Sequence, residues 1–372
     1  MARLKYIEQY MSDGGDNAKK LVACIEDYAK HSINDSLGKG KELFTVDTKY
    51  ESRLDKAKEI NDVFLSEVAR RSGISLAQVD GDVQTYAGLD MVAKMQAFVT
   101  SIMIDSVYPI YANLSGMAML TEFHNVPYGG VAEFEMKDPT LYSVSKMGRR
   151  QKHTKVQEKK KNNKVIATEM YGLTTFSTLP QIMLGESFVA DDAIKMALSV
   201  NNHIYKLVLN KFIDKAEAIT DPNFKIDSYT EETFMDILRK GSAINGSKMN
   251  IVGDALALKD LLPASQYVRI LLTDAYNTSL GYMDVWNTYN VIGFDVIADD
   301  TASTGILGLP TDRLYGIPND GTKLIHVAIG STRLTTDEMF DNDNLAILST
   351  LAKEIGVELA TTRKVVRCDL AS

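Results

Sequence analysis

Cysteine is nearly missing from this sequence. Cys24 and Cys368 are the only two in 372 residues, at opposite ends and with no partner motif around either. Their isolation argues against a disulfide framework or a zinc site, and two lone thiols suit a reducing cytoplasm. Histidine is scarce as well. His31, His124, His153, His203 and His326 read as dispersed, without the short-spaced partner a metal centre needs. No metal and no cofactor is therefore expected, and His203 and His326 are read as structural. An excess of positive charge is also lacking. The net charge is −8 and the pI about 5.3, the opposite sign to a protein that grips nucleic-acid phosphates tightly. No long apolar run occurs. The N-terminus, Met1 to Tyr6, has no apolar signal core. The most apolar region, Met91 to Leu120, is interrupted by Lys94, Asp105 and Pro109 and reads as buried helices, not a membrane span.

What is present is enough for a large core. Of the chain, 45% is hydrophobic and 24% charged, ordinary values for a globular protein, and the length suits two or three domains. Residues 1–85 read as amphipathic helices. Ala18, Leu21, Ile25 and Tyr28 form one stripe after the Asp13-Gly14-Gly15-Asp16 break. Leu54, Ala57, Phe64 and Val68 form a second, closed by Gly73. Such narrow stripes need a surface to pack against.

After Pro127-Tyr128-Gly129-Gly130, the period-two run Glu133 to Met136 predicts a half-exposed strand, and Val165–Thr168 with Thr174–Phe176 predicts its return. Together, residues 131–180 read as a long β-hairpin. A long helix follows, capped by Ser187, with Asp191 and Asp192 in its first turns. Ile194, Leu198, Tyr205, Val208 and Phe212 lie along one face, and Thr220-Asp221-Pro222 stops it. Beyond it the texture alternates. Helices are expected at Glu231–Lys240, Asp254–Leu262 and Asn344–Ile355. Strands are expected at Met249–Val252, Val291–Ile297 and Leu324–Ile329, with an extended close from Val357 to Cys368.

Motifs that could carry chemistry fail in detail. Gly241 to Lys248 has the glycines of a phosphate loop, but Ser precedes Lys and a helix precedes the loop, where a strand is required. Asp341-Asn342-Asp343-Asn344 begins like a calcium loop, yet Ala346 and Ala352 stand where glycine and glutamate belong. No convergent catalytic set is found, so the chain is not expected to be an enzyme.

The anomaly is residues 146–164. They hold Lys146, Arg149, Arg150, Lys152, Lys155, Lys159, Lys160, Lys161 and Lys164 against Glu158 alone, a net +8, so the remaining residues carry −16. A solvated loop is the plain reading of such a run. A basic tip on an acidic body also invites a complementary partner, either another copy of the same body or nucleic acid.

This order of elements resembles the major capsid proteins of tailed bacteriophages, whose fold is shared with encapsulins and the floor domain of herpesvirus capsids. Three segments are similar to that family's own: Met249 to Leu262, Asn290 to Asp300, and Val357 to Asp369. The resemblance covers roughly 88–372. It implies an α+β fold with a helical N-terminal arm (1–87), the start of a peripheral domain (88–130) and an extended hairpin loop (131–180). A peripheral segment with a spine helix (181–225), an axial domain (226–355) and a closing peripheral strand (356–372) complete it. It further implies pentamers and hexamers that form an icosahedral shell around double-stranded DNA, held without sequence-specific contacts. A virion location after assembly in the host cytoplasm goes with this, as do a portal protein, a scaffolding protein and a decoration protein as partners. The nine basic residues of the tip would be inter-subunit contacts. An encapsulin-like compartment with protein cargo is the alternative, and an α/β enzyme the third reading. Residues 1–85 lie outside the resemblance and are expected to stay in the shell as ordered helices and an arm packed on neighbours. Covalent Lys–Asn cross-links between subunits are not expected.

Overall fold

The computed structural model describes residues 5–37, 44, 53–73, 95, 98–107, 110, 120–126, 130–136, 162–178, 189–261, 276–277, 282–283, 285–294, 296–298, 305–319, 321, 323–330, 333–337, 346–360 and 362–370. Within them the chain is α+β. Three helices open it: α1 (Lys5–Asp13), α2 (Gly15–Leu37) and α3 (Arg53–Ser72). The turn between α1 and α2 falls at the Gly14-Gly15 pair, and Gly73 follows α3 with φ +70°, as expected of a helix end. Apart from Leu54, whose side chain lies outside the described ones, the predicted stripes are buried. Leu21, Ile25, Tyr28, Ala57, Ile60, Phe64 and Val68 pack into one core with the long helix α4 (Val189–Glu217). The Tyr28 hydroxyl donates to Asp191 in the first turn of α4 at 2.6 Å. The N-terminal helices thus find their packing surface on their own chain. Residues 98–107 are helical and, apart from Phe98, buried, as their apolar density demands.

Helix α4 has 29 residues and spans about 44 Å. Ile194, Ala197, Ile204, Val208, Phe212 and Ala216 recur at intervals of three, four or seven along its buried face, with Tyr205 beside Ile204. The expected cap, Ser187, lies outside the described residues.

Two sheets flank α4. The first contains β1 (Thr121–Val126), β4 (Glu169–Thr178), β14 (Ile325–Gly330), β15 (Arg333–Asp337) and β16 (Ala346–Leu359). The register places β14 and β15 end to end along one edge of β16 (Ile329↔Ile355, Arg333↔Ala352), with β4 along the other (Glu169↔Ile355 to Thr178↔Ala346). β1 runs parallel to β14 on the far side.

The second sheet has the order β5-β17-β13-β6-β10-β9. These strands are Lys225–Ile226, Val366–Asp369, Arg313–Pro318, Met249–Asp254, Tyr289–Phe294 and Val285–Trp286. Alternation assigns its faces. Met249, Ile251, Leu314, Val366 and Cys368 meet Phe234, Ile237 and Leu238 of α5 (Glu231–Asn245). Val252, Phe294, Tyr315 and Ile317 point to the α4 core, where Tyr315 meets Phe212 edge-on at 5.2 Å between ring centroids. Three short pieces complete the set: the pair β2 (Ala132–Met136) and β3 (Asn162–Ile166), the pair β7 (Tyr276–Asn277) and β8 (Tyr282–Met283), and the pair β11 (Ile297–Ala298) and β12 (Ile306–Leu307).

The structure corrects the sequence reading at several points. The helix expected at Asn344–Ile355 is strand β16. Ile347, Leu351 and Ile355 have helical spacing, but Leu351, Lys353 and Ile355, two apart, are the side chains buried together. A helix there would strip the partners from β4 on one edge and β14–β15 on the other. The expected extended close, Val357–Cys368, is split between the end of β16 in one sheet and β17 in the other. The boundary at 355/356 consequently falls inside a strand, because the chain returns to each sheet in turn. The loop at Gly241–Lys248 is mostly helix. α5 runs on to Asn245, and Gly246 (φ 67°) caps it with its N–H on the Ser242 carbonyl, so no phosphate cradle forms. The expected helix from Asp254 is one α turn, α6 (Ala255–Leu258), capped by Asp254 and followed by a 3₁₀ turn. The strand expected over Val291–Ile297 ends at Phe294. Asp341–Asn344 lies outside the described residues.

Candidate assembly surface

The predicted hairpin exists at its root. β2 and β3 pair antiparallel, Ala132↔Ile166 through Met136↔Asn162. The returning strand predicted at Thr174–Phe176 is part of β4, which leaves the hairpin and pairs with β16. The crossing point is Gly356. A Cβ there would overlap the carbonyl oxygen of Ala167 and stand 2.9 Å from Cγ2 of Ile166, so only glycine lets the hairpin pass over β16 this closely.

Alternation splits the stem into two faces. Phe134 and Ile166 point inward and join Val126, Ala328 and Ala360 in a small core on the outer face of the first sheet. Phe134 stacks on the His326 ring at 3.7 Å and 18°. Lys164 also turns inward, placing its ammonium 2.7 Å from Glu358 Oε1. Burial alone would raise the pKa of Glu358. The Lys164 hydrogen bond and the Leu359 N–H outweigh it and hold the carboxyl below its usual range. Lys215, in the last turn of α4, donates to the Ala360 carbonyl at 2.8 Å. Burial, with Lys364 and Lys164 nearby, pushes it down to about 8. The outward side of the root carries Glu133, Glu135, Val131 and Val165, and Val131 is 63% exposed.

Of the nine basic residues singled out in the sequence, only Lys164 is described, and it is held within its own chain. Lys146, Arg149, Arg150, Lys152, Lys155, Lys159, Lys160 and Lys161 lie outside the described residues.

One constellation escaped the sequence reading. Glu122 and His124 share a face of β1, and parallel pairing sets His326 of β14 opposite Glu122. His124 Nε2 lies 3.0 Å from His326 Nδ1, and Glu122 Oε2 is 3.6 Å from the same nitrogen. Burial lowers the His326 pKa to about 4, with Glu122 opposing and His124 adding to the fall. The sequence did carry half of this signal, since Glu122-Phe123-His124 spaces two ligand types two apart, which is same-face spacing on a strand. Without the strand assignment that spacing has no meaning, and His326 is 202 residues away.

Cys24 and Cys368 are buried and unbonded. Among the described residues, no helix is long and apolar enough to cross a membrane.

No family model matches the chain, and no curated protein does. Solved structures similar to it include the capsid of the cyanophage P-SCSP1u, at 11% identity over 69% of this chain and 88% of that one, with a TM-score of 0.49. The mature capsid of bacteriophage PhiM1 is similar at 11% identity over 69% and 87%, TM-score 0.40. A virus-like particle from Pyrococcus furiosus is similar at 14% identity over 72% and 98%, TM-score 0.39.

Proposed function

We propose that this chain is a shell subunit, a major capsid protein of the tailed-phage type, that assembles with copies of itself and catalyses nothing. The observation that carries the reading is the hairpin root. β2 and β3 leave the two-sheet body over Gly356, are held among the described residues by a small satellite core and the Lys164–Glu358 ion pair, and turn Val131 and Val165 to solvent. A two-stranded ribbon is marginal alone and needs a further surface to lie on. In a closed shell that surface is the neighbouring subunit, met identically at every position of a ring. The proposed assembly is pentamers and hexamers in an icosahedral lattice, with double-stranded DNA inside. A portal, a scaffolding protein and a decoration protein are the proposed partners, and the host cytoplasm is the proposed place of assembly. The acidic body suits a wall that lies beside DNA without gripping it.

Electron microscopy of the purified full chain tests this. Closed icosahedral particles are expected, and native particles should contain nucleic acid. A discrete monomer with turnover on a small molecule would overturn the reading, and protein cargo in native particles would favour a nanocompartment.

A further inference from the structure

We propose that Glu122, His124 and His326 form a divalent transition-metal site, of the zinc class, on the outer face of the first sheet beside the hairpin root. This does not depend on the chain forming a shell.

The ligand atoms of all three residues lie within 4.8 Å of one another. Two ligands at zinc distance, about 2.0–2.1 Å from a tetrahedral ion, stand about 3.3 Å apart. The observed separations of 3.0 Å between His124 Nε2 and His326 Nδ1 and 3.6 Å between His326 Nδ1 and Glu122 Oε2 straddle that value. The third pair, His124 with Glu122, lies within 4.8 Å, so side-chain shifts of up to about 1.5 Å would close the set on one ion. The donors are two imidazoles and one carboxylate, a set that suits zinc and its neighbours and not the all-oxygen shells of calcium or magnesium. Three protein ligands leave a position for water.

The backbone prepares the site. Glu122 and His124 are two apart on β1, and the β1–β14 ladder puts Glu122 opposite His326, so all three share one face of a paired sheet. His326 is 4% exposed, and its ring is fixed by the stacked Phe134 ring from the hairpin. Three groups able to accept a proton or a metal converge here, and the single hydrogen bond between the imidazoles satisfies only two of them. A cation would use all three lone pairs at once. Because β2 supplies the ring that packs on a ligand, metal binding would also tighten the hairpin root.

The test uses the full chain without an affinity tag, treated with a chelator and titrated with Zn²⁺ alone by calorimetry. One equivalent should bind in the micromolar range or tighter, and the melting temperature should rise, as it must for a ligand that prefers the folded state. Co²⁺ in place of Zn²⁺ should give visible absorption bands of low coordination number. His124→Ala should lose the Co²⁺ bands and weaken Zn²⁺ binding by more than about tenfold. Glu122→Gln, at a half-exposed side chain, should keep the metal-free melting temperature and still weaken binding. A wild-type Kd above about 100 µM would overturn the proposal. So would equal Zn²⁺ binding by the wild type and a folded His124→Ala variant.

Discussion

Charged groups sit inside this fold with almost none of their surface exposed, and each is held differently. Glu67 on α3 accepts from Arg70 through both carboxylate oxygens, from Arg71 Nε at 2.7 Å and from the Tyr10 hydroxyl of α1 at 3.1 Å. Burial alone would raise its pKa, but the Arg70 and Arg71 hydrogen bonds outweigh that and lower it. A carboxyl whose folded pKa is depressed contributes stability that is complete above its unfolded value and is lost as the pH falls through the folded one. Urea unfolding followed from about pH 6 to about pH 3 should therefore show a steeper loss for the wild type than for Glu67→Gln, whose amide does not titrate there. Equal slopes would mean that the Arg70 and Arg71 hydrogen bonds do not depress the Glu67 carboxyl in the folded chain. The second case is Lys353 of β16, whose ammonium lies 2.7 Å from Asp105, the two being 1% and 0% exposed. Removing the Lys353 ammonium takes away the ion-pair partner that lies 2.7 Å from buried Asp105, so Lys353→Met should destabilise by about 3–5 kcal/mol in chemical denaturation. Adding Asp105→Leu should recover most of that loss, because an apolar pair no longer leaves a buried charge.

At the scale of elements, β16 decides the architecture. It is the strand that β4, β14 and β15 all use, and the hairpin crosses it at Gly356. Gly356→Ala should force the Ala167 carbonyl and the Ile166 side chain away, at a cost of about 1–3 kcal/mol in a urea titration. Phe134→Ala should empty the centre of the satellite core and cost up to about 3–5 kcal/mol locally. Hydrogen exchange should report that loss in β2, β3 and the facing part of β14, with α5 and the second sheet unchanged. Exchange rising uniformly across the chain would show that the root and the body unfold together.

For the whole molecule the question is what the basic segment meets. Reversing Arg149, Arg150, Lys152 and Lys155 to Glu should leave the melting temperature of the unassembled chain unchanged. Assembly should fail or become strongly dependent on salt, since screening over about 10 Å at 0.1 M weakens such contacts. One exposed ion pair contributes about 0–1 kcal/mol, so no single residue should matter, but in the proposed shell the same cluster would recur at every subunit contact. Light scattering across ionic strength is the measurement. Normal assembly at every salt concentration would make the segment a passive loop, and empty shells would point to nucleic acid as its partner.

The sequence by itself determined the elements whose signal is local. The stripes of α2 and α3 and the long face of α4 bury the described residues their spacing marked, with Leu198 half-buried, because a helix repeats every 3.6 residues whatever surrounds it. The stem strand β2 was legible from period-two alternation and the break at Pro127–Gly130, whereas β3 begins at Asn162 and ends at Ile166, overlapping the strand read at Val165–Thr168 only at its start. The segment at 344–355 was not, because Ile347, Leu351 and Ile355 satisfy a helix while Leu351, Lys353 and Ile355 satisfy a strand, and nothing local chooses. Only the tertiary structure decided it, by offering two strand edges whose backbone groups needed partners. The same holds for the Glu122–His124–His326 cluster and for the Lys353–Asp105 pair, whose members are 202 and 248 residues apart. Residues that distant have no mutual signal in a single sequence, and the pairing of β1 with β14 and the packing of β16 on helix 98–107 bring them together.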